Sequence, residues 1–532
     1  MDRFEIIKGE LFYFAQSEKD EKWAKEIGIK VSPYIIVDGE LMSAKDNLGL
    51  MDEATGSIII PQAVTKIGEG AFSNLEGLRT IVIPGTVKEI GINAFRNNKT
   101  LEKVIIQEGV EIIGASAFQG CQQLKEIELP ESITQINSSA FYVCNHLKEI
   151  EIPSKVTTIS TMAFSICSSL SKVTFRGENI TAIGPEAFFG TSFTEFHITK
   201  NMKSISVSAF TQNIKLKDIT IDGDNFFYEE GILMPKDRKS VIFLSQSYYR
   251  EKTELKIPEG VVNFETSIAN LVRLKKLIIT KDVTSITTSR HLPSSIETIE
   301  VQDGNNMFGV EENCLYTKTE PKTLLFCYSK ETTIELKSDY KKIGGFAFNG
   351  AQNATKIILN KEVESIGNQI FDNVYKVREF EIKEKVNYID PRFCLSKYEI
   401  KVTIDNNKNY KVENNILYSA DKSRLITVIS KIEGEFIVDS KVKEIGGGAF
   451  YSQGLMTKIN LNTVERINTV AFFDCDNLRS IEIPATIKEI HSSALNSTKN
   501  LKEVIIHKEK DSIKGYPWGS TIGNRLEVKW EP

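Results

Sequence analysis

The sequence predicts a repeat solenoid, a β-rich, right-handed superhelix of short strands and short helical turns. Two observations carry this prediction. The dipeptide Ala-Phe recurs with a period of about 23 residues, and apolar stretches with strand-like alternation surround each copy. The length of 532 residues agrees with it. Each repeat of a solenoid contacts only its neighbours, so the chain lengthens without needing a deeper core.

The Ala-Phe dipeptide marks one position in each repeat. A constant interval separates the first five copies, and the interval from Phe210 to Phe348 is six times as long. A middle region of weaker repeats therefore keeps the register. The copies are Ala71-Phe72, Ala94-Phe95, Ala117-Phe118, Ala140-Phe141, Ala163-Phe164, Ala187-Phe188, Ala209-Phe210, Ala347-Phe348, Ala449-Phe450 and Ala471-Phe472.

Each repeat consists of two short extended pieces and a turn. In residues 124–141, Ile127 and Leu129 alternate with Glu126 and Glu128, which is the period-two pattern of a strand with one buried face. A proline follows this strand in several repeats and ends it, because proline cannot donate to the strand ladder. The second piece turns two branched residues inward. Ala-Phe then opens a short helical turn that fills the interior.

Stacked repeats place the outward residues of the first strand in rows. Interior positions recur from repeat to repeat, whereas these outward positions do not. That contrast is expected for an extended recognition surface and also for a solvated strand face. Four glutamates on two neighbouring strands form a predicted acidic patch, which favours a basic partner or contributes only solubility. The predicted partner-binding residues are Lys103, Ile105, Glu126, Glu128, Glu149, Glu151, Lys172 and Thr174.

Three segments break the repeat, and each is predicted to be a β-hairpin insert. Each begins with a cluster of Asp and Asn, at residues 222–225, 303–306 and 405–409, and each has a polar turn between two apolar runs. Oxygen-rich clusters suit Ca²⁺, but none completes the pattern of an EF-hand loop. Hydrogen-bonded Asx turns are therefore the preferred interpretation.

The repeated phrase Leu-x-x-Ile-x-Ile-Pro-x-x-Val-x-x-Ile-Gly-x-x-Ala-Phe-x-x-Cys resembles the BspA-like leucine-rich repeats of bacterial surface proteins. The resemblance covers roughly residues 57–510. It implies a leucine-rich-repeat fold. Members of that family are typically exported or attached to the cell surface and bind host or matrix proteins, so the resemblance also implies protein binding at the cell surface.

The prediction divides the chain into seven segments, because open ends of a solenoid need covers and the inserts interrupt the array. The last segment carries Trp518 and Trp530. The segments are an N-terminal cap at 1–55, regular leucine-rich repeats at 56–221, hairpin inserts with degenerate repeats at 222–333, leucine-rich repeats at 334–404, a hairpin insert at 405–432, leucine-rich repeats at 433–510 and a C-terminal cap at 511–532.

The sequence contains no motif that requires catalysis, a metal or a cofactor. The seven cysteines are odd in number, and four of them, Cys121, Cys144, Cys167 and Cys475, share one repeat position. We expect these to be buried free thiols, with a disulfide between neighbouring coils as the alternative. The five histidines lie on different repeats, and no cysteine or histidine pair has zinc-site spacing. We expect a protein that is not an enzyme and that holds neither metal nor cofactor.

Charge and hydropathy narrow the choice of partner. The net charge is -5, which does not favour nucleic acid, and no apolar run approaches the ~20 residues of a transmembrane segment. Residues Met1 to Gly9 lack the apolar stretch of a signal peptide. We expect a non-catalytic interaction or adhesion scaffold whose strand face binds a host, matrix or cell-envelope protein, a basic one if the acidic patch takes part. We expect it at the cell surface or secreted, with a cytoplasmic location as the alternative.

Two other functions stay open from the sequence. One is a purely structural surface spacer. The other is a carbohydrate-binding protein or an enzyme whose site lies near the N-terminal segment or the hairpin inserts, which would require convergent polar groups in a pocket.

Overall fold

In the computed structural model the chain winds into successive coils that form two units, each described here by itself. The first unit comprises Met1–Lys252 and Gly260–Leu271, and the second comprises Thr253–Glu259 and Val272–Pro532. The structure describes the backbone of five strands before residue 55 and then residues 55–286, 292–394, 400–496, 498–509, 512–513 and 527–531.

Short strands make up nearly all regular structure of the described residues. Through the first hairpin insert they are β1 (Phe4–Ile7), β2 (Glu10–Tyr13), β3 (Lys30–Val31), β4 (Tyr34–Val37), β5 (Glu40–Ala44), β6 (Ser57–Ile59), β7 (Lys66–Ile67), β8 (Thr80–Ile83), β9 (Glu89–Ile90), β10 (Lys103–Ile106), β11 (Ile112–Ile113), β12 (Glu126–Glu128), β13 (Gln135–Ile136), β14 (Glu149–Ile152), β15 (Thr158–Ile159), β16 (Lys172–Phe175), β17 (Ala182–Ile183), β18 (Glu195–Ile198), β19 (Ser204–Ile205), β20 (Asp218–Ile221), β21 (Phe226–Glu229), β22 (Ile232–Pro235) and β23 (Phe243–Leu244), followed by helix α1 (Gln246–Tyr249).

The remaining strands belong to the second unit, except β25. They are β24 (Glu254–Lys256), β25 (Asn263–Phe264), β26 (Lys276–Ile279), β27 (Ser285–Ile286), β28 (Thr298–Val301), β29 (Phe308–Glu311), β30 (Cys314–Thr317), β31 (Thr323–Cys327), β32 (Thr333–Glu335), β33 (Lys342–Ile343), β34 (Lys356–Ile358), β35 (Ser365–Ile366), β36 (Glu379–Ile382), β37 (Tyr388–Ile389), β38 (Lys401–Ile404), β39 (Tyr410–Glu413), β40 (Ile416–Ser419), β41 (Arg424–Val428), β42 (Gly434–Ile437), β43 (Glu444–Ile445), β44 (Met456–Asn460), β45 (Arg466–Ile467), β46 (Ser480–Ile483), β47 (Glu489–Ile490), β48 (Glu503–Ile506) and β49 (Glu527–Trp530).

Two strands per coil build two faces of the solenoid. The first strand of each coil is called the ladder strand, and in the first unit the ladder strands are β6, β8, β10, β12, β14, β16, β18 and β20. All pairings between ladder strands are parallel. Lys103 on β10, for example, lies opposite Thr80 of the preceding repeat and Glu126 of the following repeat. In β10, Val104 and Ile106 point inward, whereas Lys103 and Ile105 point to solvent. The predicted solenoid of stacked strands is confirmed.

Turns, and not the predicted short helix, form the Ala-Phe edge of the coil. The Ala94 amide donates to the Gly91 carbonyl at 3.3 Å, and the Arg96 amide donates to the Asn93 carbonyl at 3.0 Å. Asn93 and Asn97 have φ angles of 56° and 60°, in the left-handed region. A right-handed helix cannot continue through such residues, so consecutive tight turns replace it.

A column of phenylalanine rings runs through the core of the first unit. The Ala-Phe phenylalanines from Phe72 to Phe210 are fully buried or nearly so. Their ring centroids lie 5.1–6.0 Å apart from coil to coil, with ring planes within 12° of parallel. Offset stacking of this kind is favourable for aromatic rings. Each ring is therefore held by the coils on both sides of it.

A buried donor accompanies the stacked rings, at the repeat position of the four shared cysteines. The Cys121 thiol donates to the Phe95 carbonyl at 3.2 Å, and the Asn98 amide group, one coil earlier, donates to the Phe72 carbonyl at 2.8 Å. Cysteine and asparagine therefore have the same role at this position: each donates a hydrogen bond to a buried carbonyl that would be costly to leave unpaired. All seven cysteines are free and buried, which confirms the expected thiols.

Each of the three inserts contains three antiparallel strands, so the predicted hairpins are confirmed and each has a third strand. In the second and third inserts these strands are part of a six-stranded sheet. An equivalent ion pair links the strands within each insert. The glutamate that ends the first strand binds a cation in the turn between the second and third strands, and this cation also lies over an aromatic ring. The three sets are Glu229, Arg238 and Phe227; Glu311, Lys322 and Tyr316; and Glu413, Lys422 and Tyr418.

The N-terminal segment contains a hairpin of the same kind. Strands β4 and β5 pair antiparallel with a register shift after Ile35, as β30 and β31 do after Leu315 and β40 and β41 do after Leu417. The last strand of each then joins the next coil in parallel, with Leu41 opposite Ile67. In the proposed C-terminal cap, β49 adds a further ladder strand beside β48. Trp518 lies outside the described residues.

Replacing Phe141 by alanine should remove one ring from the middle of the column. Phe141 is fully buried between Phe118 and Phe164, at 5.4 and 5.3 Å. We expect a loss of about 3–5 kcal/mol in the free energy of unfolding, the range for a buried Phe→Ala change. Urea unfolding of the full chain measures it, with the half-buried neighbour Tyr142→Ala as the control. A loss below about 1 kcal/mol would contradict the stacking.

The seven thiols should be unpaired and shielded. Burial raises the pKa of Cys121 to about 12, so little reactive thiolate exists at neutral pH in the folded chain. A thiol reagent should therefore label the native protein slowly. It should count close to seven groups after denaturation without reductant. A count of three or fewer would demonstrate disulfides between coils.

Candidate functional site

The predicted partner-binding residues all lie on outward positions of four successive ladder strands, β10, β12, β14 and β16. Seven of them are exposed, and Thr174 is half-buried. Lys103 and Glu126 sit opposite each other on paired strands, as do Glu149 and Lys172. The outward rows that the sequence predicts are therefore present on this part of the face. The row is not continuous, however.

Within the described residues, strand pairing stops between β12 and β14. The ladder strands from β6 to β12 form one sheet, β14 with β16 a second and β18 with β20 a third. Between β12 and β14 the second face is also interrupted, because the sheet that contains β13 ends and one that begins with β15 takes over, whereas β15, β17 and β19 stay paired past β16. The two strands that carry the predicted acidic patch, β12 and β14, are therefore neighbours that do not pair. The turn edge stays joined, because the Phe141 amide still donates to the Ala163 carbonyl at 2.8 Å.

A cleft opens where the ladder is broken, and we call it the ladder cleft. Its volume is about 370 Å³. Because the coils remain bonded along the turn edge while both strand faces lose their pairing, the space opens between the ladder strands. The residues that line the ladder cleft are Ile127, Glu128, Leu129, Glu149, Ile150, Glu151, Lys172, Thr174 and Arg176.

Side chains replace the missing backbone hydrogen bonds at the break. The Ser154 amide and hydroxyl both donate to the Glu131 carboxylate, at 3.1 and 2.7 Å, and the Ser160 hydroxyl donates to the Ile136 carbonyl at 2.7 Å. These bonds connect the same two coils whose strands do not pair. Side chains thus satisfy part of the hydrogen-bonding capacity that the backbone loses at the break.

Arg176 spans the cleft from two coils away. Its Nη1 donates to the Leu129 carbonyl at 2.9 Å and to Glu131 at 3.2 Å, and its Nε donates to Glu151 at 2.9 Å. The Glu151 hydrogen bond, ahead of Glu131, raises the pKa of Arg176 above its ordinary value. The hydrogen bonds from Ser154, and then Arg176, lower the pKa of Glu131. The guanidinium therefore acts as a charged clamp across the break.

The clamp divides the predicted acidic patch. Glu126 pairs with Lys103 at 2.6 Å, and Glu151 pairs with Arg176. Glu128 and Glu149, which line the cleft, have no ion-pair partner among the described residues, and neither has Lys172 on the far side. The four glutamates are therefore not one repulsive cluster, as the sequence suggested, but two paired carboxylates and two open ones.

The ladder strands of the second unit differ in this respect. Many of their outward charges form ion pairs with a neighbouring strand, although Glu335 on β32 has no such partner among the described residues. The pairs are Lys276 with Glu254 and Glu300, Lys356 with Glu379, Lys458 with Glu435, and Lys529 with Glu503. Unpaired carboxylates beside a cavity are thus a feature of the ladder cleft and not a general property of the ladder strands.

Arg176, Glu131 and Ser154 are the members of the site that sequence reasoning missed. One signal was available for Arg176, which follows β16 at the position where Pro84, Pro130 and Pro153 follow their strands. A long cation in place of a strand-ending proline marks a coil that differs from its neighbours. Its partners lie 25–47 residues away in sequence, and only the stacking of coils brings them together.

No catalytic or metal centre emerges among the described residues. His197 contacts the Thr220 hydroxyl and the Asp222 carboxylate, both at 2.9 Å, but its side chain is 49% exposed, without the enclosure that acyl-transfer chemistry needs. In the described part of the chain no group of three or more metal-ligating side chains is placed to hold an ion. His291 lies outside the described residues.

The Asp/Asn clusters at the entrances of the second and third inserts form the preferred Asx turns. The side-chain oxygen of Asn305 accepts from the Met307 and Phe308 amides at 2.9 and 2.8 Å. Asn407 accepts from Asn409 and Tyr410 in the same way. These side chains are used to shape the backbone entrance of each insert.

The sequence profile described as the BspA type leucine rich repeat region matches the chain repeatedly. The matches cover residues 51–168, 90–217, 134–252, 319–434 and 429–520, more than half of the chain. The chain belongs to the BspA-type leucine-rich-repeat family. No curated protein sequence matches it. Among the residues that the structure describes, no helix is long and apolar enough to cross a membrane.

The chain is similar at low sequence identity to several solved bacterial proteins. A leucine-rich cell surface protein from Faecalibacterium prausnitzii is 20% identical, with 90% of this chain and 94% of that chain covered and a TM-score of 0.33. A leucine-rich repeat protein from Bacteroides ovatus is 21% identical, with 92% and 94% covered and a TM-score of 0.34. The pneumococcal vaccine antigen PcpA is 18% identical, with 94% and 96% covered and a TM-score of 0.33.

Replacing Arg176 by methionine should remove the clamp and keep the aliphatic packing of its side chain. Hydrogen bonds to charged groups contribute about 1.5–3 kcal/mol, but this side chain is 31% exposed, so we expect a loss of about 1 kcal/mol in urea unfolding. Lys172→Met, which removes an open cation from the same cleft, is the control and should be nearly neutral.

The clamp also sets a pH dependence. A lowered pKa in the folded chain means that Glu131 stabilises it above the ordinary carboxyl pKa of about 4.3, and this contribution is lost as pH falls through the lowered value. The difference in stability between wild type and Arg176→Met should therefore shrink in acid. If Arg176→Met and Lys172→Met lose the same free energy of unfolding at neutral pH, Arg176 does not act as a clamp.

Proposed function

We propose that the chain is a non-catalytic protein-binding scaffold of the cell surface, and that the ladder cleft is the centre of its binding surface. Its partner is an extracellular host, matrix or cell-envelope protein that presents basic groups. Membership of the BspA-type family supports the scaffold role and the cell-surface location.

The observation that carries the proposal is the open pair of carboxylates, Glu128 and Glu149, beside a cavity in the ladder face. These two carboxylates contribute little to the free energy of folding, since even an attractive exposed charge pair is worth at most ~1 kcal/mol. Many outward charges of the second unit are instead neutralised between strands. Carboxylates that stay unpaired next to a preformed cleft are available to a partner's cations.

The site combines features that recognition requires. Ile127, Leu129 and Ile150 contribute to the wall of the cleft although their side chains are buried, and Lys172 and Arg176 add positive charge beside the open carboxylates. A partner therefore meets a shaped, charged cavity and not a uniformly acidic surface. Charge complementarity of this kind speeds association and fixes orientation more than it adds affinity.

A spacer role has separate support in the second unit. There many of the outward ladder charges form ion pairs with neighbouring strands, so fewer of them are open to a partner. A solenoid of this length can hold a binding region away from a surface while its other coils only extend the array. The two roles are compatible, because they fall to different units of one chain.

The test is a double reversal, Glu128→Lys with Glu149→Lys. Purified matrix and cell-envelope proteins are immobilised, and binding of the full chain is measured by surface plasmon resonance at low and physiological salt. We expect wild type to bind at least one basic protein, and the double reversal to weaken that binding about tenfold at low salt, with a smaller effect where the Debye length is about 8 Å.

The matched control changes the net charge equally but elsewhere on the ladder strands, by Glu195→Lys with Glu335→Lys. The melting temperature should be nearly the same in all three proteins. If the control weakens binding as much as the reversal, net charge and not the cleft governs the interaction. If wild type binds none of the proteins, the spacer role becomes the better account.

A further inference from the structure

An apolar row leads across the ladder face into the ladder cleft. Ile59, Val82 and Ile105 occupy the same outward position on the paired strands β6, β8 and β10, and Glu128 occupies it on β12. Ile59 is 71% exposed and Ile105 is 38% exposed. Hydrophobic side chains scattered singly on a surface are ordinary, but three aligned on consecutive paired strands form a contiguous patch.

The neighbouring row does not cover this patch. Ser57, Thr80, Lys103 and Glu126 form that row, and its first two members are short polar side chains beside Ile59 and Val82. Lys103 and Glu126 neutralise each other at 2.6 Å. Beside the apolar patch the face is therefore nearly uncharged, and the first open charge that a partner meets along the row is Glu128.

From this pattern we infer that the surface binds an amphipathic helix of a partner protein, laid along the row with a basic residue on its first turn and apolar side chains on the next three turns. The inference rests on the proposed function and specifies its partner. Apolar contacts to Ile59, Val82 and Ile105 supply the buried area. The arginine or lysine enters the ladder cleft between Glu128 and Glu149.

Spacing selects a helix over an extended strand. Coils repeat at about 4.8 Å, so the row from Ile59 to Glu128 is about 14 Å long. Four residues on successive turns of one helix face span about 16 Å, at a pitch of about 5.4 Å. Four same-face residues of an extended strand span about 20 Å, at about 6.8 Å for each pair of residues. A helix therefore stays in register with the row, and a strand does not.

The cleft already demonstrates that it accommodates a guanidinium. Arg176 donates there to the Leu129 carbonyl at 2.9 Å and to two carboxylates, so backbone and side-chain acceptors at the break are directed at a planar cation. Glu128 and Glu149 offer the same chemistry to a second cation. The positive end of a helix dipole also favours carboxylates, so the helix N-terminus lies over the cleft.

The experiment uses the full chain and a display library of crosslinked helical peptides of about 15 residues, a length at which an isolated helix is only marginally stable without the crosslink. Four positions on one face, i, i+4, i+7 and i+11, are randomised. We expect enrichment of arginine or lysine at the first position and of leucine, isoleucine or phenylalanine at the other three. Enrichment of acidic residues at the first position, or no positional preference, overturns the inference.

Variants of the chain then locate the selected peptide. Ile59→Thr with Ile105→Thr should weaken its binding about tenfold, which corresponds to the loss of apolar burial. Ile437→Thr is the matched control, because Ile437 is 63% exposed on a ladder strand of the second unit but faces Asn460 on the next strand. It should bind the peptide as wild type does. Circular dichroism melts check that all variants fold.

The first-position residue tests the cleft. Changing the peptide's basic residue to glutamate should weaken binding to wild type about tenfold, and Glu128→Lys with Glu149→Lys should reverse that preference. A proline substituted at the centre of the selected peptide should abolish binding, because it interrupts the helix. Unchanged binding of that peptide would overturn the helical geometry. If no helix is selected while the protein panel still yields a cleft-dependent basic partner, the inference fails and the proposed function stands. If neither probe depends on the cleft, both fail.

Discussion

Backbone hydrogen bonding between coils at an offset of one repeat is the constraint on which the rest of this structure depends. It fixes which residues stack, because a residue can only lie over its equivalent in the next coil. The phenylalanine column from Phe72 to Phe210 follows from it, with rings 5.1–6.0 Å apart. So does the buried donor that Cys121 or Asn98 supplies to the carbonyl of the preceding ring. The outward rows are the same register seen from solvent.

The ladder cleft is where this constraint is released on two faces and kept on the third. The coils that meet there have β-branched residues at the left-handed turn position, Val143 with φ 63° and Ile166 with φ 58°, where other coils have Asn97 or Gly120. Left-handed backbone costs a residue with a branched side chain about 1–2 kcal/mol. The turn edge bears this strain while side chains from Arg176, Ser154 and Ser160 satisfy the opened faces. Selection for stability alone would favour neither the strain nor the opening.

Periodicity made the scaffold predictable from sequence, and departures from periodicity made the site hard to predict. The strands, the buried Ala-Phe positions, the inserts and the free thiols all follow from patterns that recur. The short helix did not form, because Asn93 and Asn97 adopt a backbone conformation that the apolar pattern does not reveal. The break between β12 and β14 depends on contacts such as Arg176 with Leu129, which lie two coils apart. The sequence indicated four outward ladder strands as the candidate surface and could not show that two neighbouring ones, β12 and β14, do not pair.

In a periodic scaffold, a local departure from the repeat distinguishes one region from all the others. The proposed surface has two parts with different roles, the apolar row and the ladder cleft. Burial of Ile59, Val82 and Ile105 is the source of affinity, at about 25 cal/mol for each Å² of apolar surface removed from water. Glu128 and Glu149 fix where along the row a helix stops, because a cation placed one coil away meets the neutralised pair of Lys103 and Glu126. An unbroken ladder of alternating charges would accept a partner in several registers. One open pair beside one cleft accepts it in a single register, which is the property that recognition requires.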